Sequence, residues 1–217
     1  MNRINLSALF LALILPAALA SAQSADQSAV GTIEYLEGQV SVLRSGETVD
    51  ASNVRVGMVI QPFDTLETGP DGYAEVVMTA PSAGSILKVK SDTAFYFEGT
   101  PEKSSWFRTT FQLLRGSLSM KVGRLRGNES YQVQTDNAVA AVRGTEFNID
   151  MAADRSVLIT VPEGRVETNA GGRRVAAQPG VISVIESGAG ARQLYVSPDD
   201  LELYRQYWQG LRREALQ

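Results

Sequence analysis

The sequence of 217 residues contains no cysteine and no histidine. Without cysteine the chain has no disulfide bond, no thiolate nucleophile and no thiol redox chemistry. Without either residue it also lacks the usual zinc ligands and an imidazole base. Only carboxylates, hydroxyls, Lys, Arg and backbone groups remain for chemistry. We therefore expect a protein that is not an enzyme, with no catalytic residue, no metal site and no cofactor.

Positive charge is also limited, with 20 basic against 24 acidic residues. This balance argues against a nucleic-acid-binding surface. Loss of residues 1–22 would remove one basic residue, Arg3, and no acidic residue, leaving 19 against 24 and a net charge of −5. Beyond residue 22 no uncharged apolar run is long enough to span a membrane, so we expect no membrane span after that point.

Residues 1–22, "MNRINLSALFLALILPAALASA", have the three parts of a secretory signal peptide. Arg3 supplies the positive charge, residues 6–15 form a short apolar core, and Pro16 precedes small residues suited to cleavage. An uncleaved N-terminal anchor is the alternative, and the exact cleavage site stays open. The sequence predicts a periplasmic or secreted protein, with residues 23–29 as a flexible leader.

Short alternating segments dominate residues 30–196. Apolar residues recur at every second position, which is typical of strands with one buried face; examples are Leu87 and Val89, Phe95 and Phe97, Tyr131 and Val133, Phe147, Ile149 and Met151, and Val157, Ile159 and Val161. Turn-forming stretches such as "TGPDG" and "NAGG" separate them. The pattern predicts one all-β domain, an irregular β-solenoid or a sandwich of short strands.

Three segments resemble one another: "EGQVSV" at 37–42, "RGSLSM" at 115–120 and "EGRVET" at 163–168. Their glycines, Gly38, Gly116 and Gly164, lie 78 and then 48 residues apart. A regular solenoid keeps a constant period, so these segments indicate related hairpin units rather than a strict repeat.

The end of the chain, residues 197–217, predicts one amphipathic α-helix. Ser197 is a suitable N-cap, Pro198 suits the first helical position, and two aspartates follow in the first turn. The apolar residues recur at steps of three and four on one face: Leu201, Tyr204, Trp208, Leu211 and Ala215.

The stretch "YQVQTDNAVAAVRGTEFNIDMAADRSVLITVPEGRVET" at 131–168 resembles the signature region of the FecR domain family. The earlier "EGQVSV" and "GMVIQPFDTLETGPDGYAEVVM" also resemble that family, so that the resemblance covers roughly residues 30–187. One departure is that the family's glycine before the aspartate is absent here, where Phe63 precedes Asp64.

The resemblance implies an all-β domain without catalytic residues. The family's founding regulators combine a cytoplasmic anti-sigma segment, one membrane span and an outer domain that senses a loaded receptor. The predicted signal peptide and the absence of a cytoplasmic segment instead favour a stand-alone exported member.

The family motif supplies the first group of candidate residues: Arg143, Gly144, Thr145, Glu146, Phe147, Glu163 and Gly164. We interpret them as structural, with Arg143 tying the turn to Glu146, Glu163 or backbone oxygens. Anion or carboxylate recognition by an exposed Arg143 is the alternative. Aromatic residues form the second group, as candidates for binding a partner or a glycan: Trp106, Phe107, Tyr204, Tyr207 and Trp208.

The sequence therefore predicts a non-catalytic exported protein that binds an envelope or periplasmic protein as a scaffold or signalling adaptor. The alternative is a module that binds a cell-envelope glycan or another polymer. The partner and the oligomeric state do not follow from the sequence.

Overall fold

A computed structural model describes residues 29–79, 84–98, 108–123, 125, 130–142, 144–195, 197–203 and 206. Over these residues the fold is all-β, as predicted. The strands are β1 (Gly31–Glu37), β2 (Val40–Arg44), β3 (Glu47–Thr48), β4 (Val59–Ile60), β5 (Thr65–Thr68), β6 (Tyr73–Met78), β7 (Ile86–Val89), β8 (Ala94–Phe97), β9 (Arg108–Arg115), β10 (Ser117–Lys121), β11 (Ser130–Gln134), β12 (Val139–Val142), β13 (Glu146–Met151), β14 (Val157–Glu163), β15 (Val166–Ala170), β16 (Arg173–Ala177), β17 (Val181–Ile185) and β18 (Ala191–Tyr195). A short 3-10 helix at Ala51–Asn53 joins β3 to β4.

The strands form two nine-stranded sheets. Sheet A has the order β18-β17-β14-β13-β10-β7-β6-β1-β4, and sheet B has the order β16-β15-β12-β11-β9-β8-β5-β2-β3. The chain crosses repeatedly from one sheet to the other, so both orders advance in nearly the same direction along the sequence. Neighbouring strands are antiparallel except β9 and β11, which are parallel. The result is a sandwich in which later strands are added at one end of both sheets. A sandwich of short strands was one of the two predicted architectures.

The core between the sheets is aromatic in its middle. Phe95, Phe97, Phe111 and Tyr131 on neighbouring strands of sheet B are fully buried. Ring centroids lie 5.1 Å apart for Phe95 and Phe97 and 5.7 Å apart for Phe111 and Tyr131. Contacts at such distances add to the hydrophobic gain from burial. The inward positions predicted from the alternation at Phe95, Phe97 and Tyr131 are confirmed.

The core becomes thinner where both strand orders end, at β16, β17 and β18. Its buried side chains there include the small Ala170, Ala177 and Ala191, together with Ile185. The Gln193 side chain of sheet A reaches across and donates to the Ala176 carbonyl of sheet B at 2.5 Å. Packed sheets ordinarily lie about 10 Å apart. Small side chains allow a closer approach at this end.

Part of the outer face of sheet A is also buried. A second apolar cluster contains Ala152, Leu158, Ile182 and Val184, with Leu194 and Leu201 packed against it. Strands β14 and β17 are therefore covered on both faces, which the simple alternation did not predict.

The terminal helix begins as predicted. Ser197 Oγ accepts a hydrogen bond from the Asp200 backbone amide at 3.2 Å, which is the contact expected of an N-cap residue. Residues 198–203 and 206 are helical, and Leu201 docks on sheet A. The remainder of the predicted helix, like the signal peptide and most of the leader, lies outside the described residues. Within the described part of the chain, no helix has the length and apolar character needed to cross a membrane.

Candidate functional site

The two halves of the family motif meet at one corner of the sandwich. Gly144 and Thr145 lead from sheet B into sheet A, and Gly164 leads from sheet A back into sheet B. Gly164 has φ +89°, and a Cβ placed on it would lie 2.5 Å from Thr145 Cγ2. Thr145 itself is buried. A side chain at residue 164 would therefore overlap with the threonine, so this contact supports a structural interpretation of the motif.

The related segments use their glycines in the same way. Gly38 and Gly116 also have positive φ, and each sits where the chain changes sheet. A Cβ on Gly38 would lie 2.1 Å from the Asp71 carbonyl oxygen, and one on Gly116 would lie 2.3 Å from Thr93 Oγ1. The internal repetition of the sequence therefore marks the tight crossings between the two sheets.

The acidic residues of the motif lie side by side on sheet A. Glu146 pairs in register with Glu163 on one side and with Lys121 on the other. Lys121 Nζ lies 3.9 Å from Glu146 Oε2. Phe147 follows on the inner face and is fully buried. Arg143 lies outside the described residues, so its contacts with these carboxylates stay a prediction.

The aromatic candidates cannot be located in the same way. Trp106, Phe107, Tyr204, Tyr207 and Trp208 all lie outside the residues whose side chains are described. Their roles in binding a partner or a glycan stay predictions.

An ion pair that was not predicted from the sequence lies near the first strands of both sheets, and its arginine also bonds to the other sheet. Arg44 on β2 donates to both carboxylate oxygens of Asp64, from Nε at 2.9 Å and from Nη2 at 2.7 Å. Its Nη2 also donates to the Val59 carbonyl of β4 at 3.0 Å. The carboxylate is fully buried and raises the pKa of the Arg44 guanidinium, mainly through these hydrogen bonds. Since Arg44 and Asp64 are twenty residues apart, the sequence alone gave no sign of the pair.

The missing family glycine leaves an unusual residue beside this ion pair. Phe63 has φ +72°, a left-handed conformation that is uncommon for non-glycine residues. Its side chain is 55% exposed, while its backbone amide donates to the Phe97 carbonyl at 2.6 Å. An aromatic side chain is thus presented to solvent at a position whose backbone favours glycine.

Carboxylates that are close in sequence have separate partners in the structure. Asp64 binds Arg44, whereas Glu67 lies 3.4 Å from Arg115. Asp71 accepts from the Gln39 amide, and Asp200 bonds to the helix-capping Ser197. Among the described residues, no group of three His, Cys, Asp or Glu side chains is arranged to hold a metal ion.

A repeated Tyr-x-Glu sequence forms a compact group on the outer face of sheet A. Tyr35 and Glu37 of β1 lie beside Tyr73 and Glu75 of β6, with Tyr35 opposite Glu75 and Glu37 opposite Tyr73. The Tyr35 hydroxyl donates to Glu37 at 3.0 Å, and the Tyr73 hydroxyl donates to Glu75 at 2.6 Å. We call these four residues the tyrosine–glutamate array. The repeats "YLE" and "YAE" were the signal in the sequence that could have revealed it.

Exposed apolar side chains concentrate near the same end of the sandwich. Among the described residues, seven large hydrophobic side chains are exposed, and four of them fall between residues 35 and 63: Tyr35, Val56, Val59 and Phe63. They belong to β1, to the short edge strand β4 and to the turns on either side of β4. We call these four residues the N-terminal apolar surface. The opposite end of sheet A, by contrast, is covered by the start of the terminal helix.

Comparison with known proteins finds a family match for part of the chain and a similar fold. The family model described as FecR protein matches residues 64–167, which include the motif corner and Asp64. No curated protein matches the chain. Two crystal structures of a proposed anti-sigma factor from Parabacteroides distasonis ATCC 8503, at 2.50 and 1.65 Å resolution, each match at a TM-score of 0.53 and 15% identity.

Each match covers 65% of this chain and 64% of the other chain, so this chain spans less than two thirds of the length of those proteins. At this identity the likeness concerns the fold. The family match, by contrast, contains both halves of the signature motif that meet at Thr145 and Gly164. Residues 64–167 of this chain are therefore similar to the FecR protein family.

Proposed function

We propose that this protein is a non-catalytic, exported FecR-domain protein that binds another envelope protein, as a scaffold or as an adaptor in signalling. The predicted signal peptide supports export. The description of the two similar folds as an anti-sigma factor supports a regulatory role.

The N-terminal apolar surface is the observation that carries this proposal. Exposed apolar side chains gathered in one region are characteristic of protein interaction sites, whereas scattered ones need no explanation. Tyr35, Val56, Val59 and Phe63 all precede residue 64, where the family match begins. A surface outside the matched residues is suited to a partner that is specific to this protein.

Phe63 supports the proposal because its side chain is exposed and its backbone conformation is unfavourable for a non-glycine residue. A left-handed backbone costs a non-glycine residue about 1–2 kcal/mol. Burial of the ring does not repay that cost, since more than half of the side chain is exposed. Contact of the aromatic ring with a partner gives a reason for its presence.

The test is crosslinking in intact cells followed by affinity purification and mass spectrometry, with Phe63→Gly as the test variant. Glycine relieves the left-handed strain but adds backbone entropy to the unfolded state and removes some burial, so we expect stability to change by less than about 1 kcal/mol. Partner capture should nevertheless fall strongly. Tyr195→Ser is the control, because Tyr195 is 83% exposed on β18, far from this surface.

Recovery of one reproducible envelope protein that is lost with Phe63→Gly and kept with Tyr195→Ser would support the proposal. Equal capture of the partner by the wild-type protein, Phe63→Gly and Tyr195→Ser, with unchanged thermal stabilities, would exclude a role for this surface. Failure of the wild-type protein to capture any protein would contradict the proposed function itself.

Glycan binding is the second candidate function, and an uncharged row across sheet B favours it. Gln134, Gln112, Tyr96 and Thr65 are neighbours in register on its outer face. Amide and hydroxyl groups can donate to and accept from sugar hydroxyls, and an aromatic ring can stack on a sugar. Recovery of glycan fragments instead of protein, reduced by Tyr96→Ala, would favour this candidate.

A further inference from the structure

We propose that the tyrosine–glutamate array binds an arginine side chain of the partner protein. The proposal rests on the proposed function, since it names the chemistry by which that partner is recognised. The array belongs to the part of sheet A that carries the N-terminal apolar surface, and Tyr35 is a member of both.

The array is a built arrangement rather than a chance group of surface residues. The ring centroids of Tyr35 and Tyr73 lie 5.9 Å apart at 62°, an edge-to-face contact. Each hydroxyl donates to the glutamate two residues later on its own strand. The rings and carboxylates therefore alternate in a two-by-two pattern on two neighbouring strands of the sheet.

The two glutamates of the array differ in how far neighbouring positive charge compensates them. Glu75 lies 3.5 Å from Lys88 Nζ on the neighbouring strand, so its charge is partly compensated. Glu37 is exposed, and within the described part of the chain it has no ion pair. Glu34, on the same strand, is also exposed. The array therefore presents an excess of negative charge next to an exposed aromatic ring.

The phenols contribute as neutral groups. The hydrogen bond from the Tyr35 hydroxyl to Glu37 raises the pKa of Tyr35. Burial, together with the hydrogen bond to Glu75, raises the pKa of Tyr73. Both rings consequently stay protonated at neutral pH. A protonated phenol whose hydrogen points at a carboxylate leaves the face of its ring available to a cation.

Arginine fits this surface better than lysine. Its planar guanidinium can stack on an aromatic ring while it donates two parallel hydrogen bonds to a carboxylate. Tyr35 offers a ring that is 46% exposed, and Glu37 offers the uncompensated carboxylate. Lysine carries the same charge but lacks the planar group needed for both contacts.

A peptide titration tests the recognition directly. The probes are a fluorescein-labelled hexa-arginine peptide and a hexa-lysine peptide, measured by fluorescence anisotropy against the full mature chain. Glu37→Gln should weaken arginine binding roughly two- to fivefold, as expected for an exposed cationic contact. Glu167→Gln is the matched control, because Glu167 is an exposed strand glutamate on the opposite sheet and undergoes the same change of charge.

Tyr35→Leu separates the ring from the charge. This variant keeps an apolar side chain but should reduce the preference for arginine over lysine, while Glu167→Gln leaves that preference unchanged. Thermal melting of each variant establishes that it is folded. Equal losses with Glu37→Gln and Glu167→Gln, or equal binding of the two peptides by the wild-type protein, would overturn the proposal.

The crosslinking experiment distinguishes failure of this proposal from failure of the proposed function. Loss of the captured partner with Phe63→Gly but not with Glu37→Gln would contradict the arginine site and leave protein binding intact. Absence of any captured protein would contradict protein binding, while the peptide titration would still decide whether the array recognises arginine.

Discussion

Gly164 and Phe63 share a left-handed backbone but differ in what surrounds them. Gly164 has φ +89° and is pressed against Thr145, so that it has no room for a side chain. Phe63 has φ +72° and projects its ring into solvent. The first position is fixed by packing. At Phe63 the strained backbone carries an exposed side chain instead. This contrast distinguishes the family motif from the proposed binding surface.

We expect Gly164→Ala to destabilise the protein by about 2–4 kcal/mol, because left-handed strain and overpacking against Thr145 add together. Gly172→Ala provides the control: Gly172 has φ +74°, but a Cβ there would meet nothing within 4 Å. It should cost only about 1–2 kcal/mol. Denaturant unfolding of both variants measures the difference, and equal losses would contradict a role for the Thr145 contact.

At the scale of single residues, the sequence revealed which residues are present but not which residues they contact in the fold. The recurrent glycines and the absence of a glycine before Asp64 were visible in the sequence. Their meaning was not, because each depends on a residue brought close by folding, such as Asp71 beside Gly38. Arg143 illustrates the same limit, since its predicted partners depend on the fold around it.

At the scale of elements, the Arg44 side chain joins strands β2 and β4, which backbone hydrogen bonds do not connect. Arg44 lies on β2 in sheet B, while its bond to the Val59 carbonyl reaches β4, the edge strand of sheet A. Asp64 also accepts from the Gln61 amide at 2.8 Å, which fixes the turn before β5. One guanidinium thus contacts the edge strand of sheet A and, through Asp64, the turn before β5.

Arg44→Met should therefore destabilise the protein by about 2–3 kcal/mol. Loss of one partner from a buried pair typically costs about 3–5 kcal/mol, and the partial exposure of Arg44 reduces this value. Arg115→Met removes a comparable but exposed pair with Glu67 and should cost less than about 1 kcal/mol. The two free energies of unfolding are compared at neutral pH; similar values would show that burial of Asp64 contributes little.

The elements themselves were largely predictable. Period-two alternation identified the inward residues of β7, β8, β13 and β14, and Ser197 correctly marked the start of the terminal helix. The second buried face of β14 and β17 was missed. Its cover includes Leu201 and Leu194, which are distant in sequence, and no local pattern reports such a contact.

At the scale of the whole molecule, the two sheets advance together along the chain. This order could not be derived from the sequence, because strand neighbours such as β10 and β13 are separated by two strands of the other sheet. The types of buried residue still follow the spacing between the sheets. Phenylalanines line the middle of the sandwich, and alanines line the end where the sheets approach each other.

The narrow end should be intolerant of larger side chains. Ala191 begins β18, is fully buried and follows Gly190, where an added Cβ would lie 3.4 Å from the Ala170 carbonyl oxygen of sheet B. We expect Ala191→Leu to cost about 1–3 kcal/mol through overpacking. Ala141→Leu makes the same change on the outer face of sheet B and should alter stability by less than about 0.5 kcal/mol. Denaturant unfolding compares the two variants. If both behave alike, the sheets can separate at this end, and the small residues there reflect no packing limit.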